Sequence, residues 1–508
     1  MSRTALVAAL VCFAAAGGPV ARAAGGDGQW TMPAGDYAAT RYSELTQITS
    51  QNARSLHPVW TFSTGVLGGH EGQPLVVGDT MYVVTPWPNV LYAFDLTREG
   101  YPLRWKYRPE VSSNAIGVAC CDTVNRGAFY ADGKIVYNLL DGHTVAVDAH
   151  TGRELWKAKI AELGDGETTT MAPLVVKDRV IVGAAGGEFG IYGWIKALDL
   201  KTGQTVWSAR NIGPDAEMLA RSDTFRPPYE PGPDMGARSW GHDSWRTGGA
   251  PVWGWLSYDE GLDLVYYGTG NAAPYNAEQR PGDNKWSASV LARRPADGAL
   301  VWAYQFTPHD SWDFDATGAM ILAELTIGGQ AVKALVHFDK NGFAYTIDRT
   351  NGRVLVAAPF APVNWARSVD LTTGRPVVDP TKQTGASRGK VRGICPSLEG
   401  GVSPASPGAY SPRTHLFYTA TSNMCMDYGT ANVTYLKGTP FVGVDSPYTA
   451  GPGGYGGTFI AWDAASGKKV WENREPFPVW SGALVTGGDV AFYGTLDGWF
   501  RAVNARTG

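Results

Sequence analysis

The sequence predicts an all-β fold, an eight-bladed β-propeller held by tryptophan-docking repeats, with its last blade incomplete. Two observations carry this. One pattern recurs along the chain, and strong helical periodicity is nearly absent. The pattern reads "VAVDAHTGRELW" ending at Trp156, "IKALDLKTGQTVW" at Trp207, "VLARRPADGALVW" at Trp302 and "FIAWDAASGKKVW" at Trp471. "AYTIDRTNGRVLV" places Val356 at the tryptophan position. "LYAFDLTREGYPLRW" is a longer form ending at Trp105, and "NARSLHPVW" a degenerate one ending at Trp60. "FRAVNARTG" opens an eighth unit and stops at Gly508.

Each unit reads as an alternating strand, an Asp/Asn turn closed by glycine, and a strand carrying an aromatic docking residue. Apolar segments such as "PLVVGDTMYVVT" and "PLVVKDRVIVGAA" supply further strands between units. Tryptophans 60, 105, 156 and 207 recur at the period of propeller blades. Wider spacing before 302 and 471 leaves room for insertions. Most of the 19 tryptophans are thereby assigned to packing between blades.

At the N-terminus, "MSRTALVAALVCFAAAGGPVARAAGG" has an arginine, a short apolar run and a small-residue cleavage site. Residues 1–23 are therefore expected to be an export signal, and 24–508 one propeller domain. No stretch is long enough to span a membrane. Losing the signal removes Arg3 and Arg22 but no acid, so the mature chain is more acidic than the full chain's −4. With no basic run, nucleic acid and membrane surfaces are poor partners. Four mature cysteines remain, Cys120, Cys121, Cys395 and Cys425. Their even number favours two disulfides in an exported chain but leaves three pairings open. There is no "HxxxH", "CxxC" or "CxxCH", so zinc and attached haem are not indicated.

Beyond the repeats, "CCDTVNRG", "TTTMAPLVVKDRVIVGAAGGEFG", "VWGW", "YYGTGN", "RPGDNKW", "TPHDSWDFD" and "SNMCMDY" follow in order. Together they resemble the pyrroloquinoline quinone (PQQ)-dependent alcohol dehydrogenases, and within them the lanthanide-using methanol dehydrogenase branch. The resemblance runs from about residue 30 to the end. It implies an eight-bladed propeller, PQQ and a lanthanide ion as cofactors, with calcium as the alternative metal. A small primary alcohol is the implied substrate, and a periplasmic cytochrome c the implied electron acceptor. A homodimer is compatible with the family. A non-catalytic propeller scaffold is the other reading, but it has no use for paired cysteines or an acidic cluster.

The resemblance also implies residue roles. Cys120 and Cys121 would form a vicinal disulfide on one face of the quinone, and Trp253 would stack on the other. Cys395 and Cys425 would form a second disulfide. Arg126 would bring a guanidinium fork to cofactor oxygens. Glu71, Thr170, Ala185, Gly186, Gly187, Glu188, Lys340, Asn423 and Trp480 match other cofactor-pocket positions. Pro251 and Ala185 stand where relatives often carry hydroxyl side chains. Glu188, Asn271, Asp313 and Asp315 would ligate the metal, all through hard oxygen donors. Asp313 would be the general base. Asp315 follows it by two residues, which on an extended backbone puts both carboxylates on one face. The added negative charge suits a trivalent ion.

Overall fold

The computed structural model describes residues 28–508 apart from 222 and 404. The expected signal segment, residues 1–23, lies outside the described residues. Among the described residues no helix is long and apolar enough to cross a membrane.

Among the described residues the strands pair into eight four-stranded sheets and one two-stranded sheet. One of the four-stranded sheets joins Val391–Ile394, Met424–Thr430, Val444–Asp445 and Tyr448–Ala450, and the other seven follow the repeat. The first five each use four strands consecutive in sequence. Sheet one runs Leu75–Val77, Thr80–Val84, Leu91–Asp95 and Leu103–Tyr107. Sheets two to five begin at Ala128–Ala131, Leu174–Val176, Leu256–Asp259 and Ile321–Ile327. Sheet six combines Ala409–Ser411, Leu416–Ser422, Gly457–Asp463 and Lys468–Glu475. Sheet seven combines Leu484–Thr486, Val490–Gly494 and Phe500–Asn504 with Tyr42–Ser43, which pairs parallel to Leu484–Thr486. First strands of successive sheets contact one another, the arrangement of propeller blades. The repeat count gave eight units. The first of them, ending at Trp60, forms no strand among the described residues.

The repeat has a direct packing meaning. The glycine that closes each Asp-led turn is left-handed, φ +73° at Gly203, for example. A Cβ built there would lie 2.6 Å from Trp156 of the preceding sheet. The same relation joins Gly152 to Trp105, Gly298 to Trp207, Gly352 to Trp302 and Gly508 to Trp471. Gly467 meets Val356 instead, so the exception in sequence keeps the docking position. Each indole therefore lies flat against a bare backbone that no other residue type would leave open. The Trp156, Trp207, Trp302 and Trp471 indoles also donate Nε1–H to Leu200, Pro295, Arg349 and Ala505 carbonyls, each three residues before the glycine. The docking thus fixes both the stacking and the rotation of neighbouring blades.

A second tie was not visible in the repeats. Residues 30–42 run past the first strand of each of the seven repeat sheets in turn. Trp30 pairs with Val76 in sheet one, and the Thr31 carbonyl accepts from Tyr130 in sheet two. The Tyr37 hydroxyl donates to the Val175 carbonyl in sheet three. Carbonyls of Tyr37, Ala38, Thr40 and Arg41 accept from Tyr258, Leu322, Tyr410 and Val485 in sheets four to seven. Buried Arg41 also lies over the Trp255 ring, 4.6 Å from its centroid. One short segment thereby links all seven first strands.

In a four-stranded meander, the loop from second to third strand and the connection into the next sheet share one end. The Asp-led turns occupy the other. Glu188, Asn271 and Lys340 lie on loops of the first kind, and Arg126, Trp253, Asp313 and Asp315 on connections of the second. Topology alone gathers the chemistry at one end of the sheets.

Candidate cofactor and metal site

Arg126 organises the first half of the site. Its side chain is buried, with Nη1 donating to Thr170 Oγ1 at 2.9 Å and to the Trp253 carbonyl at 3.3 Å. Nη2 lies 2.9 Å from the Glu71 carboxylate. The guanidinium stands over the Trp253 ring, 4.8 Å from its centroid. Its Nε carries a buried hydrogen with no protein partner. Four residues named from the sequence, Glu71, Arg126, Thr170 and Trp253, are thus in one contact group.

The second half is acidic. Lys340 Nζ donates to Asp313 Oδ2 at 3.1 Å and to Asp315 Oδ2 at 2.9 Å, and all three side chains are almost wholly buried. Asp315 Oδ1 accepts the Asn271 backbone N–H at 2.7 Å. Gly187 passes so close to Asn271 that a Cβ there would lie 2.4 Å from its Oδ1. Glycine at 187 is therefore required by the approach of two loops. A Cβ on Gly186, at φ +128°, would strike the Gly166 carbonyl. Ala185 pairs with Thr168 beneath this turn. Glu188 follows directly, and Phe441 donates its N–H to the Glu188 carbonyl at 2.6 Å.

Asp313 is not on an extended backbone. Its φ is +65°, left-handed and strained for a side chain with a Cβ. The expectation of two carboxylates facing one way by alternation is therefore corrected: both reach Lys340, but through this kink. Asp310 holds the kink, its two oxygens accepting the N–H groups of Trp312 and Phe314, each at 3.0 Å. Arg280 offsets the Asp310 charge.

Charge in this cluster is uncompensated. Burial first, then the neighbouring Asp315, raises the Glu188 carboxyl above its ordinary range. Burial, with Asp315 and Glu188 adding to it against Lys340, pushes Asp313 well up. Burial would pull Lys340 down, but Asp313 and Asp315 more than reverse this and hold the ammonium charged. Glu399, mostly buried nearby, is raised by the same causes, burial before the Asp315 charge. One ammonium faces several carboxylates in a dry setting, a field that favours another cation.

The donor set fits an oxygen-seeking ion. Asn271 Oδ1 and Asp313 Oδ1 are both buried and have no hydrogen-bond partner. Unsatisfied buried oxygens are costly and ask for a ligand. Among the described residues, however, no three Cys, His, Asp or Glu side chains form a ready-made cage. The four expected ligands are neighbours, Glu188, Asp313 and Asp315 acting on one another's charge and Asn271 bonding Asp315, without forming a preformed ring. The Asp315 oxygens are both engaged by protein donors, though each keeps a further lone pair.

Further residues named from the sequence are placed as follows. The Cys120 and Cys121 side chains lie against each other, with no disulfide drawn between them. The backbone at this pair is left-handed, with φ +61° at Cys121 and +97° at Asp122. Asn423 uses its amide on the Pro452 and Tyr455 carbonyls, at 2.8 and 2.9 Å, with Oδ1 left unpartnered. Trp480 is 47% exposed and makes no ring contact with another described residue. The Cys395–Cys425 disulfide is present, with Cα atoms 4.4 Å apart. Glu399, Tyr275 and Tyr428, whose side chains feel the acidic cluster, were not foreseen. Only the closeness of Glu399 to Cys395 in "CPSLEG" offered a signal.

The PQQ family described as "Glucose/ethanol/alcohol dehydrogenase, beta-propeller domain" matches residues 30–370. The chain belongs to the PQQ-dependent dehydrogenase family. It is 52% identical over 486 residues to the lanthanide-dependent methanol dehydrogenase of Methylacidiphilum fumariolicum, covering 95% of this chain and 79% of that protein. It is 42% identical over 493 residues to methanol dehydrogenase [cytochrome c] subunit 1 of Paracoccus denitrificans, covering 94% and 78%. A solved structure of a europium-containing methanol dehydrogenase superimposes with a TM-score of 0.92 at 51% identity, covering 94% of this chain and 83% of that one. For this PQQ-dependent dehydrogenase, a bare scaffold is no longer a reading to carry.

Proposed function

We propose that this dehydrogenase oxidises methanol or another small primary alcohol to the aldehyde, with PQQ and a lanthanide ion as cofactors and a periplasmic cytochrome c as acceptor. The observation that carries this is the pair of buried, partnerless oxygens, Asn271 Oδ1 and Asp313 Oδ1, beside Glu188 and Asp315. The similarity to lanthanide-dependent, cytochrome c-coupled and europium-containing methanol dehydrogenases supports the substrate, the metal and the acceptor.

Glu188, Asn271, Asp313 and Asp315 would hold the cation, and Arg126, Thr170, Glu71 and Trp253 the quinone. When bound, the quinone supplies a two-electron acceptor and the cation a Lewis acid. The rest belongs to the chain. Arg126 presents fixed N–H groups to an anionic, planar ligand and backs them with an indole face. Lys340 engages Asp313 Oδ2 and leaves Oδ1 facing the cation side, and the Asp313 carboxylate would take the hydroxyl proton of the alcohol. Lys340 keeps Asp313 from turning away. Burial of the whole group excludes water from the reacting atoms.

Asp315 favours a trivalent over a divalent ion, since it adds a carboxylate to the pocket. The test is steady-state turnover of the purified holoenzyme with methanol, ethanol and formaldehyde, read as cytochrome c reduction. Alcohol-dependent reduction is expected. A quinone-loaded protein that reduces no cytochrome c with any of the three would refute the proposal.

A further inference from the structure

We propose that His337 and Asp339 are positioning residues that hold the Lys340 ammonium between Asp313 and Asp315. The inference rests on the proposed alcohol oxidation and explains how one of its groups is aimed.

His337 and Asp339 are fully buried, and no step described so far uses them. His337 Nε2 lies 3.1 Å from Asp339 Oδ2, and Nδ1 lies 3.3 Å from the Ala319 carbonyl. With both ring nitrogens tied and the Phe306 ring 4.8 Å away, the imidazole cannot turn. The other Asp339 oxygen, Oδ1, accepts the Asn341 N–H at 2.9 Å. The Asp339 backbone closes the same turn, its carbonyl accepting from Gly342 and its N–H donating to Phe343, both at 3.0 Å. Lys340 is the residue at the apex. A buried side-chain pair thus grips the turn from beneath while the lysine points to the acidic cluster above.

A long flexible lysine would otherwise lose rotamer entropy to sit between two carboxylates. Fixing its Cα removes part of that cost. Misplacement by an ångström is enough to matter for a group acting on a general base. A burial site without a registering partner would more simply hold an apolar pair, because a buried ionisable pair contributes little net stability.

The experiment is a double-mutant cycle on the holoenzyme with Asp339→Asn, Lys340→Met and the double variant. Asparagine keeps an oxygen for Asn341 N–H. Asp339→Asn is expected to lower kcat on the order of tenfold or more with KM within about twofold. In the Lys340→Met background the same change is expected to cost less than about twofold. Equal losses in both backgrounds, or an unchanged kcat, would overturn the proposal. Terbium(III) titration of protein purified without added lanthanide gives a second readout that needs no turnover. Displacing the ammonium removes a repelling charge, so both single variants are expected to bind terbium about threefold tighter or more, without adding together. Weaker or unchanged binding in Asp339→Asn would indicate simple structural damage and sink the idea. Should Asp339→Asn fail to fold, His337→Gln takes its place with the same expectations. If the wild-type protein reduces no cytochrome c, the functional reading fails, while the terbium cycle still decides the positioning role.

Discussion

The Nζ of Lys340 stands 2.9 Å from Oδ2 of Asp315, with both side chains almost dry. The lysine answers one negative charge among several. This leaves the cluster with a deficit that a highly charged cation would fill, and it makes Asp315 the residue whose removal is most informative.

Asp315→Ala is expected to abolish lanthanide-dependent turnover, by about a hundredfold or more if a metal ligand and the Asn271 anchor are both lost. The fold should persist, since the repeats that hold the blades lie elsewhere. Turnover with saturating lanthanum, alongside circular dichroism, checks this. Unchanged turnover would show that Asp315 is no ligand.

Arg126→Lys keeps the charge but loses the fork that reaches Thr170, Glu71 and the Trp253 carbonyl together. The variant is expected to retain less than about a tenth of the wild-type quinone after gel filtration. Absorbance of the bound chromophore measures it directly. Full retention would remove Arg126 from the cofactor's grip.

Trp207→Ala empties the slot between Gly298 and its sheet and frees the Pro295 carbonyl. Trp207 is only partly buried, so a loss at the lower end for a core aromatic, about 3 kcal/mol, is expected. Trp207→Phe should lose less, chiefly the one hydrogen bond at about 1 kcal/mol. Thermal unfolding scans at a fixed rate rank the two against wild type. Equal stability for all three would mean that docking does not hold the blades.

Asp283 takes two hydrogen bonds from the Arg375 fork, at 2.7 and 2.8 Å. These hold its carboxyl below the ordinary 3.8, against burial. A depressed folded value stabilises the protein above the unfolded value and ceases to do so as pH falls through the folded one. Asp283→Asn should therefore lower the melting temperature at neutral pH, modestly because the pair is partly solvent-screened. The gap to wild type should close as pH drops below 3.8. Melting curves across that range check the sign, and a gap that widens in acid would contradict it.

How much of this could be read in the chain depends on the range of the signal. Docking is local and periodic, so an Asp-led turn, its glycine and a tryptophan announce it, even at Val356. The belt of residues 30–42 uses mostly backbone carbonyls, which carry no residue signature. Arg126, Asp313 and Asp315 were legible because neighbouring motifs framed them. The left-handed kink at Asp313 was not, since its cause is the side chain of Asp310. Lys340 was named for the cofactor, yet its contacts are to the two aspartates. Glu399 reaches the cluster from a loop inserted between blades, beyond any local pattern.

Glu188, Asn271, Asp313 and Asp315 would together hold a trivalent ion beside the quinone. The most direct measurement is alcohol turnover of PQQ-loaded protein freed of metal and then given either lanthanum, cerium or calcium. Restoration by lanthanum or cerium is expected, with calcium giving about a tenth of that activity or less. Equal or better activity with calcium would contradict it.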